Sequence, residues 1–428
     1  MNEDDFKEIS DKHIRFSVLF VSSGGFFLDG FDLTIISLAI LSIMVQMHLK
    51  SYEVGIIVSA ALLGAVFGAL IFGYLSDKIG RKTLMGIDLI FLLVFGIASA
   101  LSTNFITLFI SRLLLGVGVG GDYPLSSTLI SEFTPAYSRG KYMTAGLSLY
   151  WIGNLASAIV ALPLLLTGND WWRLLFLTGA LISIPIIGYR MKMAESPRWL
   201  ILKGKMNVED QKLRDAQMKN ARKYTDLFRG NLLKPTIFVT SVWFLFDVAA
   251  YGLGLYYPYT LKEFAFSSNY ATLYGLILIS IAAIVAGYVV ALFLIDSLGR
   301  KKLLLLGLGL MALLLFIGGI IHITGILLVP YYMIFVAVEQ WAGLVTLFYP
   351  TELFPTSVRA SAQGLATSIS RIGSVIGTFF FPTMIIIIGF SSSLLLFAFL
   401  SFLAFLITIF FAKETKMKTL EETSYALK

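Results

Sequence analysis

The sequence predicts an all-α membrane protein, with twelve transmembrane helices arranged as two pseudo-symmetric six-helix bundles. Three observations predict it. Of 428 residues, 57% are hydrophobic and only 14% charged, where a soluble domain carries about 25% charged residues. The apolar residues run in continuous stretches of roughly the 20 residues a helix needs to cross a bilayer, not in the short alternating segments of a membrane barrel. The third observation is a repeat: Asp77, Gly80, Arg81 and Lys82 recur as Asp296, Gly299, Arg300 and Lys301, and Glu132 and Arg139 recur as Glu352 and Arg359. The offset is 219 positions for the first block and 220 for the second, so the plan of the first half is written again in the second.

The helices are expected over 16–47, 52–76, 82–101, 104–132, 139–167, 172–193, 234–262, 268–296, 302–323, 327–350, 358–388 and 391–412. An even number of crossings returns both termini to one side. Basic residues crowd the loops of that side (Lys78, Arg81 and Lys82; Arg300, Lys301 and Lys302), while only Lys50, Arg173 and Lys262 fall on the other. Loops rich in Lys and Arg stay in the cytoplasm. Both termini are therefore expected there, with the chain in the plasma membrane.

This divides the chain into an N-terminal bundle (1–193), a charged central cytoplasmic linker (194–233) and a C-terminal bundle with its tail (234–428). Residues 206–224 of the linker have the composition of a helix lying on the membrane surface. The opening segment MNEDDFKEISDKHIRF is charged and acidic, which suits a cytoplasmic leader better than a cleaved signal peptide.

Composition also excludes functions. The net charge of +7 sits between the spans rather than in one patch, which argues against nucleic acid. The chain has no cysteine, so disulfides and thiolate chemistry are ruled out. His13, His48 and His322 lie far apart, and no metal or cofactor is expected. The expected partners are a small solute, protons and the lipid bilayer, with the chain acting as a monomer.

The loop blocks GYLSDKIGRK (73–82) and DSLGRKKL (296–303) combine glycines suited to a tight turn with an acid and several cations. Asp77, Arg81, Glu132 and Arg139, with Asp296, Arg300, Glu352 and Arg359 in the second half, are expected to pair at the cytoplasmic helix ends. There they would form a conformational latch rather than touch substrate. The two blocks resemble the signature of the major facilitator superfamily, and AESPRWL (194–200) and YPTELFPTSVRA (349–360) are similar to its sugar-porter branch. The resemblance implies a secondary transporter working by alternating access, with substrate held between the halves near the midplane.

A charge within a span costs about 2.5–3.5 kcal/mol on insertion scales, so Asp29, Asp32, Asp88, Arg112, Asp122, Asp247, Glu339 and Arg371 each invite a functional reading. In GGFFLDGFDLT (24–34), Asp29 and Asp32 are three apart and share a helix face. Two carboxylates this close in an apolar medium repel, and the pair is expected to exchange a proton. In RLLLGVGVGGDYPLSSTLISEF (112–133), the glycines allow close helix approach, and Pro124 removes a backbone donor beside Asp122 and Tyr123. In SVWFLFDVAAYG (241–252), Trp243, Asp247 and Tyr251 recur every four residues on one face, whereas Tyr256, Tyr257 and Tyr259 fit an interfacial aromatic belt. Arg112 is a candidate counter-ion for Asp29 or Asp32, Asp88 is expected to be partly buried, and Glu339 with Gln340 is a candidate for the cavity wall.

The helix-four string and the helix-seven face together resemble the phosphate:proton symporter family. Its helix four reads close to GIGGDYPLSAT followed by Ser–Glu, and its helix seven carries a Trp-x-x-x-Asp-x-x-x-Tyr face. The resemblance implies that Asp122 carries a proton, Tyr123 contacts substrate, and Trp243, Asp247 and Tyr251 line the site. Two positions depart from that family: Tyr150 stands at its helix-five Gln, and Arg371 at its helix-eleven Lys. Gly343 also stands where plant members have Asn. Arg371 keeps the positive charge and adds a planar fork suited to phosphate or carboxylate, and an Arg before Ile–Gly also resembles organic-anion carriers of the superfamily.

The expectation is therefore a proton-coupled symporter of a small anion, inorganic phosphate first, in which Tyr123, Tyr150, Trp243, Asp247, Tyr251 and Arg371 bind substrate and Asp29, Asp32 and Asp122 couple protons. The alternatives are a proton-coupled transporter of sugars or of organic carboxylates, and a drug or cation exporter, whose cargo Arg371 would repel. A membrane enzyme finds no nucleophile–base pair in the sequence, and a receptor no signalling domain.

Overall fold

The computed structural model describes residues 12–205 and 222–423. The leader up to residue 11, most of the expected surface helix over 206–224, and the last five residues lie outside the described residues. Those described fold into helices and turns, with no strand among them. Eleven stretches are long and apolar enough to cross a membrane. One of these, Arg359–Phe411, is two helices broken at Gly389, whose φ of 84° no ordinary side chain adopts easily. A single helix of that length would run far beyond the ~30 Å of a hydrocarbon layer.

The spans are α1 (Lys12–Gln46), α2 (Ser51–Ile79), α3 (Ile87–Ala100), α4 (Phe105–Phe133), α5 (Arg139–Leu164), α6 (Trp171–Met191), α7 (Gly230–Gly254), α8 (Asn269–Leu298), α9 (Arg300–Ile321), α10 (Leu328–Leu353), α11 (Arg359–Ile388) and α12 (Phe390–Phe411). Large apolar side chains such as Phe20, Val45, Leu101, Phe293, Ile387 and Phe410 stand exposed on the outside. A belt of this kind is stable in lipid and not in water.

Two spans depart from the sequence expectation, each for a local reason. The seventh was expected to run to 262, but α7 stops at Gly254 and a short helix, Tyr257–Phe264, follows at a turn. Pro258 has no N–H to donate to the carbonyl four residues back, and it restricts the residue before it. Within α8, Ala283–Val289 is wound as a π-helical turn. The looser turn leaves carbonyls to be satisfied elsewhere, and the Trp341 indole N–H donates to Ala286 O (3.3 Å) and Gly287 O (3.1 Å).

The packing repeats as the sequence does. α1 packs on α5 as α7 does on α11, α3 on α6 as α9 on α12, and α2 on α4 as α8 on α10. The halves meet along α2–α11 and along α5–α8, two seams that a pseudo-two-fold axis exchanges. The arrangement is two pseudo-symmetric six-helix bundles. It places the loops after α2 and α8 on one face, called here the basic face, and leaves a cavity between the bundles.

Candidate functional site

All six expected substrate contacts line the cavity: Tyr123, Tyr150, Trp243, Asp247, Tyr251 and Arg371. Trp243, Asp247 and Tyr251 come from successive turns of α7, as their spacing requires. Tyr123 sits just before Pro124 on α4. Tyr150 is brought in by Gly30, because a Cβ there would stand 1.8 Å from the Tyr150 carbonyl oxygen. Glu339 and Gln340 also line the cavity, as the sequence suggested they could.

Arg371 dominates the cavity. Its guanidinium lies between the rings of Tyr123 (4.5 Å) and Tyr251 (4.7 Å). Nη1 donates to Asp247 Oδ2 (3.3 Å) and Ser374 Oγ (3.3 Å), and Ser374 Oγ donates to the same Asp247 oxygen (2.8 Å). Arg371 Nε donates no hydrogen bond among the described residues. A buried cation with one carboxylate on one edge and an unpartnered N–H is arranged to receive an anion.

Tyr257 and Tyr288 also line the cavity, and neither was predicted to. Tyr257 was expected in an aromatic belt and is instead buried, because the chain turns inward at Pro258. Tyr288 reaches the wall from the π-helical turn and donates to Gln340 Oε1 (3.1 Å). The YYP sequence could have signalled the first; the second has no sequence signal.

The three expected proton carriers do not line the cavity. They stand behind it, in the first bundle. Asp122 accepts from Arg190 Nη2 (2.5 Å) and from Ser126 Oγ (2.9 Å), and Arg190 Nη1 donates to Asp88 Oδ2 (2.8 Å). Arg190, near the end of α6 beside the basic linker, is fully buried, as is Asp88, which was expected to be only partly so. An Arg one turn from a polar loop reads from sequence as a loop cation. The cluster fits because position 25 is glycine: a Cβ there would stand 2.1 Å from both Arg190 Nη2 and Asp122 Oδ2.

Asp29 lies within electrostatic reach of Asp122 and Arg190 of the cluster, of Asp32, and of Arg371 in the cavity wall. Neither carboxylate of Asp29 or Asp32 accepts a hydrogen bond among the described residues. Arg112 does meet Asp32, but at the backbone carbonyl (3.0 Å).

All eight expected latch residues converge at the basic face. Glu132 accepts from Arg81 of its own half (3.3 Å) and from Arg359 of the other (2.9 Å). Glu352 mirrors it, with Arg300 of its own half (2.9 Å) and Arg139 of the other (3.8 Å). Asp77 pairs with Arg81 (3.0 Å) and accepts from Ser361 N (2.8 Å) and Oγ (2.7 Å) across the seam. Asp296 pairs with Arg300 (2.9 Å) and accepts from Lys141 N (3.3 Å) across it.

Sequence reasoning missed a second layer. The Glu195 carboxylate takes the backbone N–H groups of Arg81 and Lys82 (3.0 and 3.1 Å), and Glu414 takes those of Arg300 and Lys301 (2.9 and 3.2 Å). The two acids are 219 positions apart, the offset of the loop blocks, and that was the available signal. Arg198 donates to Glu132 O (2.7 Å) and pairs with Glu421 of the tail (3.2 Å). Burial alone would push the Glu421 carboxyl up, but Arg198 and then Arg359 outweigh it and hold it below the usual carboxylate range. Among the described residues, no group of acids and histidines is arranged to hold a metal ion.

Residues 17–427 match the model of the family described as sugar (and other) transporter. A chain of Escherichia coli (strain K12), YaaU, provisionally named a metabolite transport protein, is 29% identical, covering 99% of this chain and 97% of the relative. Inorganic phosphate transporter 1-1 of Arabidopsis thaliana is 27% identical, covering 96% of this chain and 94% of the relative. Among solved structures, the major facilitator superfamily proton:xylose symporter XylE bound to 6-bromo-6-deoxy-D-glucose has the same fold, with a TM-score of 0.84 at 23% identity, covering 96% of this chain and 99% of that one. The chain belongs to the sugar (and other) transporter family, and it is a multi-pass membrane transporter of the major facilitator fold rather than an enzyme.

Proposed function

We propose that this transporter is a proton-coupled symporter of a small anion, with inorganic phosphate the first substrate to test. The observation that carries the reading is Arg371, a buried cation held between two tyrosine rings in the cavity wall with its Nε–H unpartnered among the described residues. The named phosphate transporter among the relatives points the same way.

In this reading the chain works as a monomer in the plasma membrane with both termini in the cytoplasm, and the basic face is the cytoplasmic gate. Tyr123, Tyr150, Trp243, Asp247 and Tyr251 surround the anion on Arg371. Asp29, Asp32 and Asp122 handle the proton. Asp122 shares Arg190 with Asp88, while Asp29 feels both Arg190 and Arg371. An anion seated on Arg371 cancels part of the positive field at Asp29, so proton and anion favour each other's binding. The latch pairs hold the cytoplasmic side shut, and their loss lets the cavity open inward.

A neutral sugar is the second reading, supported by the family description and by the amides of Asn154 and Gln340 in the wall. It would leave Arg371 facing a ligand with no charge to meet it.

The test is uptake of radiolabelled phosphate into proteoliposomes under an acid-outside gradient. Accumulation is expected, and a protonophore is expected to abolish it. Asp122→Asn should lose accumulation and keep exchange, because counterflow moves no net proton. Accumulation that ignores the protonophore removes proton coupling, and the absence of any phosphate exchange removes phosphate.

A further inference from the structure

We propose that Glu339 forms a second, cation-binding pole of the cavity, so that the preferred substrate is an anion that also carries an ammonium group. The proposal rests on the anion reading of Arg371 and deepens it.

Glu339 lines the cavity from α10 and is 7% exposed, and its Oε2 accepts no hydrogen bond among the described residues. The cavity lining contains two acids, Asp247 and Glu339, and a single cation. That cation, Arg371, is already paired with Asp247. Glu339 is thus a buried carboxylate with no lining cation left to match it, an arrangement that costs several kcal/mol unless something pairs with it.

Its surroundings suit an ammonium group. Tyr257 and Tyr288 lie beside it, and the Tyr257 hydroxyl is within hydrogen-bonding reach of the Glu339 carboxylate, so the acid has a neutral neighbour but no cation. A carboxylate flanked by aromatic rings attracts an alkylammonium through charge and through the ring faces together. The parts are held in place. Tyr257 packs on Tyr332 with ring centroids 4.6 Å apart, the Tyr332 hydroxyl donates to Thr260 Oγ1 (2.9 Å), and Tyr288 is tied to Gln340 by the π-helical turn of α8.

Inorganic phosphate would meet Arg371 and leave Glu339 facing a second negative charge. A zwitterion would compensate both poles at once. The lining also contains Trp243, Phe246 and Ala250, whose apolar surface suits a short carbon chain.

The experiment uses the full chain in lipid nanodiscs, with binding read by isothermal calorimetry. Two pairs of probes are compared: butyrate against γ-aminobutyrate, and inorganic phosphate against phosphoethanolamine. The aminated member of at least one pair is expected to bind wild type at least about tenfold tighter. Glu339→Gln, which keeps the shape and removes the charge, is expected to erase that preference by weakening the aminated member and tightening the plain anion. Glu339→Asp, which keeps the charge on a shorter stem, should retain part of it.

If neither amine improves binding to wild type, the second pole is wrong while the anion site stands, and Glu339 is better read as a proton site. A preference that survives Glu339→Gln also overturns the assignment. If no member of either pair binds, and Arg371→Ala changes nothing, the anion reading itself has failed and this proposal with it. Should Glu339→Gln prove unstable, the wild-type comparison within each pair still decides.

Discussion

In the first bundle the buried guanidinium of Arg190 is wrapped by Asp88, Asp122 and backbone carbonyls and never reaches the cavity. In the second, Arg371 stands in the cavity wall between two aromatic rings, with Asp247 on one edge and its Nε–H unpartnered among the described residues. Both are arginines buried within membrane helices, and both neutralise aspartates. The difference is access. A saturated guanidinium can hold acids in place but recognises nothing new, whereas an unsaturated one can take a ligand. At the basic face, by contrast, the halves match almost residue for residue. The pseudo-symmetry is kept at the basic face, where the two bundles meet through ion pairs, and lost around the two buried arginines.

The largest effect should come from removing the cavity cation. Arg371→Ala is expected to lower anion binding by about 100-fold or more, since it leaves Asp247 unpaired and the ligand without its counter-charge. Arg371→Lys should keep part of the affinity, because the charge stays and the fork is lost. Equilibrium binding of phosphate to the three proteins checks this, and full affinity in the alanine variant would mean that the two arginines do not differ in role.

The matched face should respond differently. Asp77→Asn weakens the bonds to Arg81 and Ser361, so it should shift the balance between conformations and slow turnover by about five- to tenfold. Selectivity between two competing substrates should stay unchanged. Competition assays alongside turnover separate the outcomes, and altered selectivity at normal turnover would move Asp77 into the site.

The smallest effect is expected at the tail. Glu421 is held below its unfolded value of 4.5 by Arg198 and Arg359. A depressed carboxylate contributes stability that is present above the unfolded value and is lost as pH falls through the folded one. Glu421→Gln should therefore melt about 1–3 °C lower than wild type at neutral pH, with the gap closing below about pH 4.5. A gap that persists in acid would show that the carboxyl's shape, not its charge, ties down the tail.

The number of helices, the two halves and the latch pairs were legible because they rest on long apolar runs and on a repeated spacing, and both survive in a linear reading. Trp243, Asp247 and Tyr251 were legible because a helix converts a spacing of four into a shared face. Arg190 and the burial of Tyr257 were not. Arg190 lies one turn from a polar loop, where only the packing of α6 against α1 decides whether it points inward. Tyr257 follows a break whose direction depends on what α7 packs against. The wall position of Tyr288 depends on one extra residue within a turn of α8, and the sequence AIVAGYV carries no mark of it.

The seam between α2 and α11 is a contact of backbone on backbone as well as of charge. One turn from Asp77, a Cβ on Gly73 would stand 2.9 Å from the Gly364 Cα, and one on Gly364 would stand 2.3 Å from Ala69 O. Backbone lies directly on backbone there, with no side chains threaded between. The two helices come this close only because both positions are glycine, so a larger side chain at either would wedge the seam open one turn from the bonds between Asp77 and Ser361.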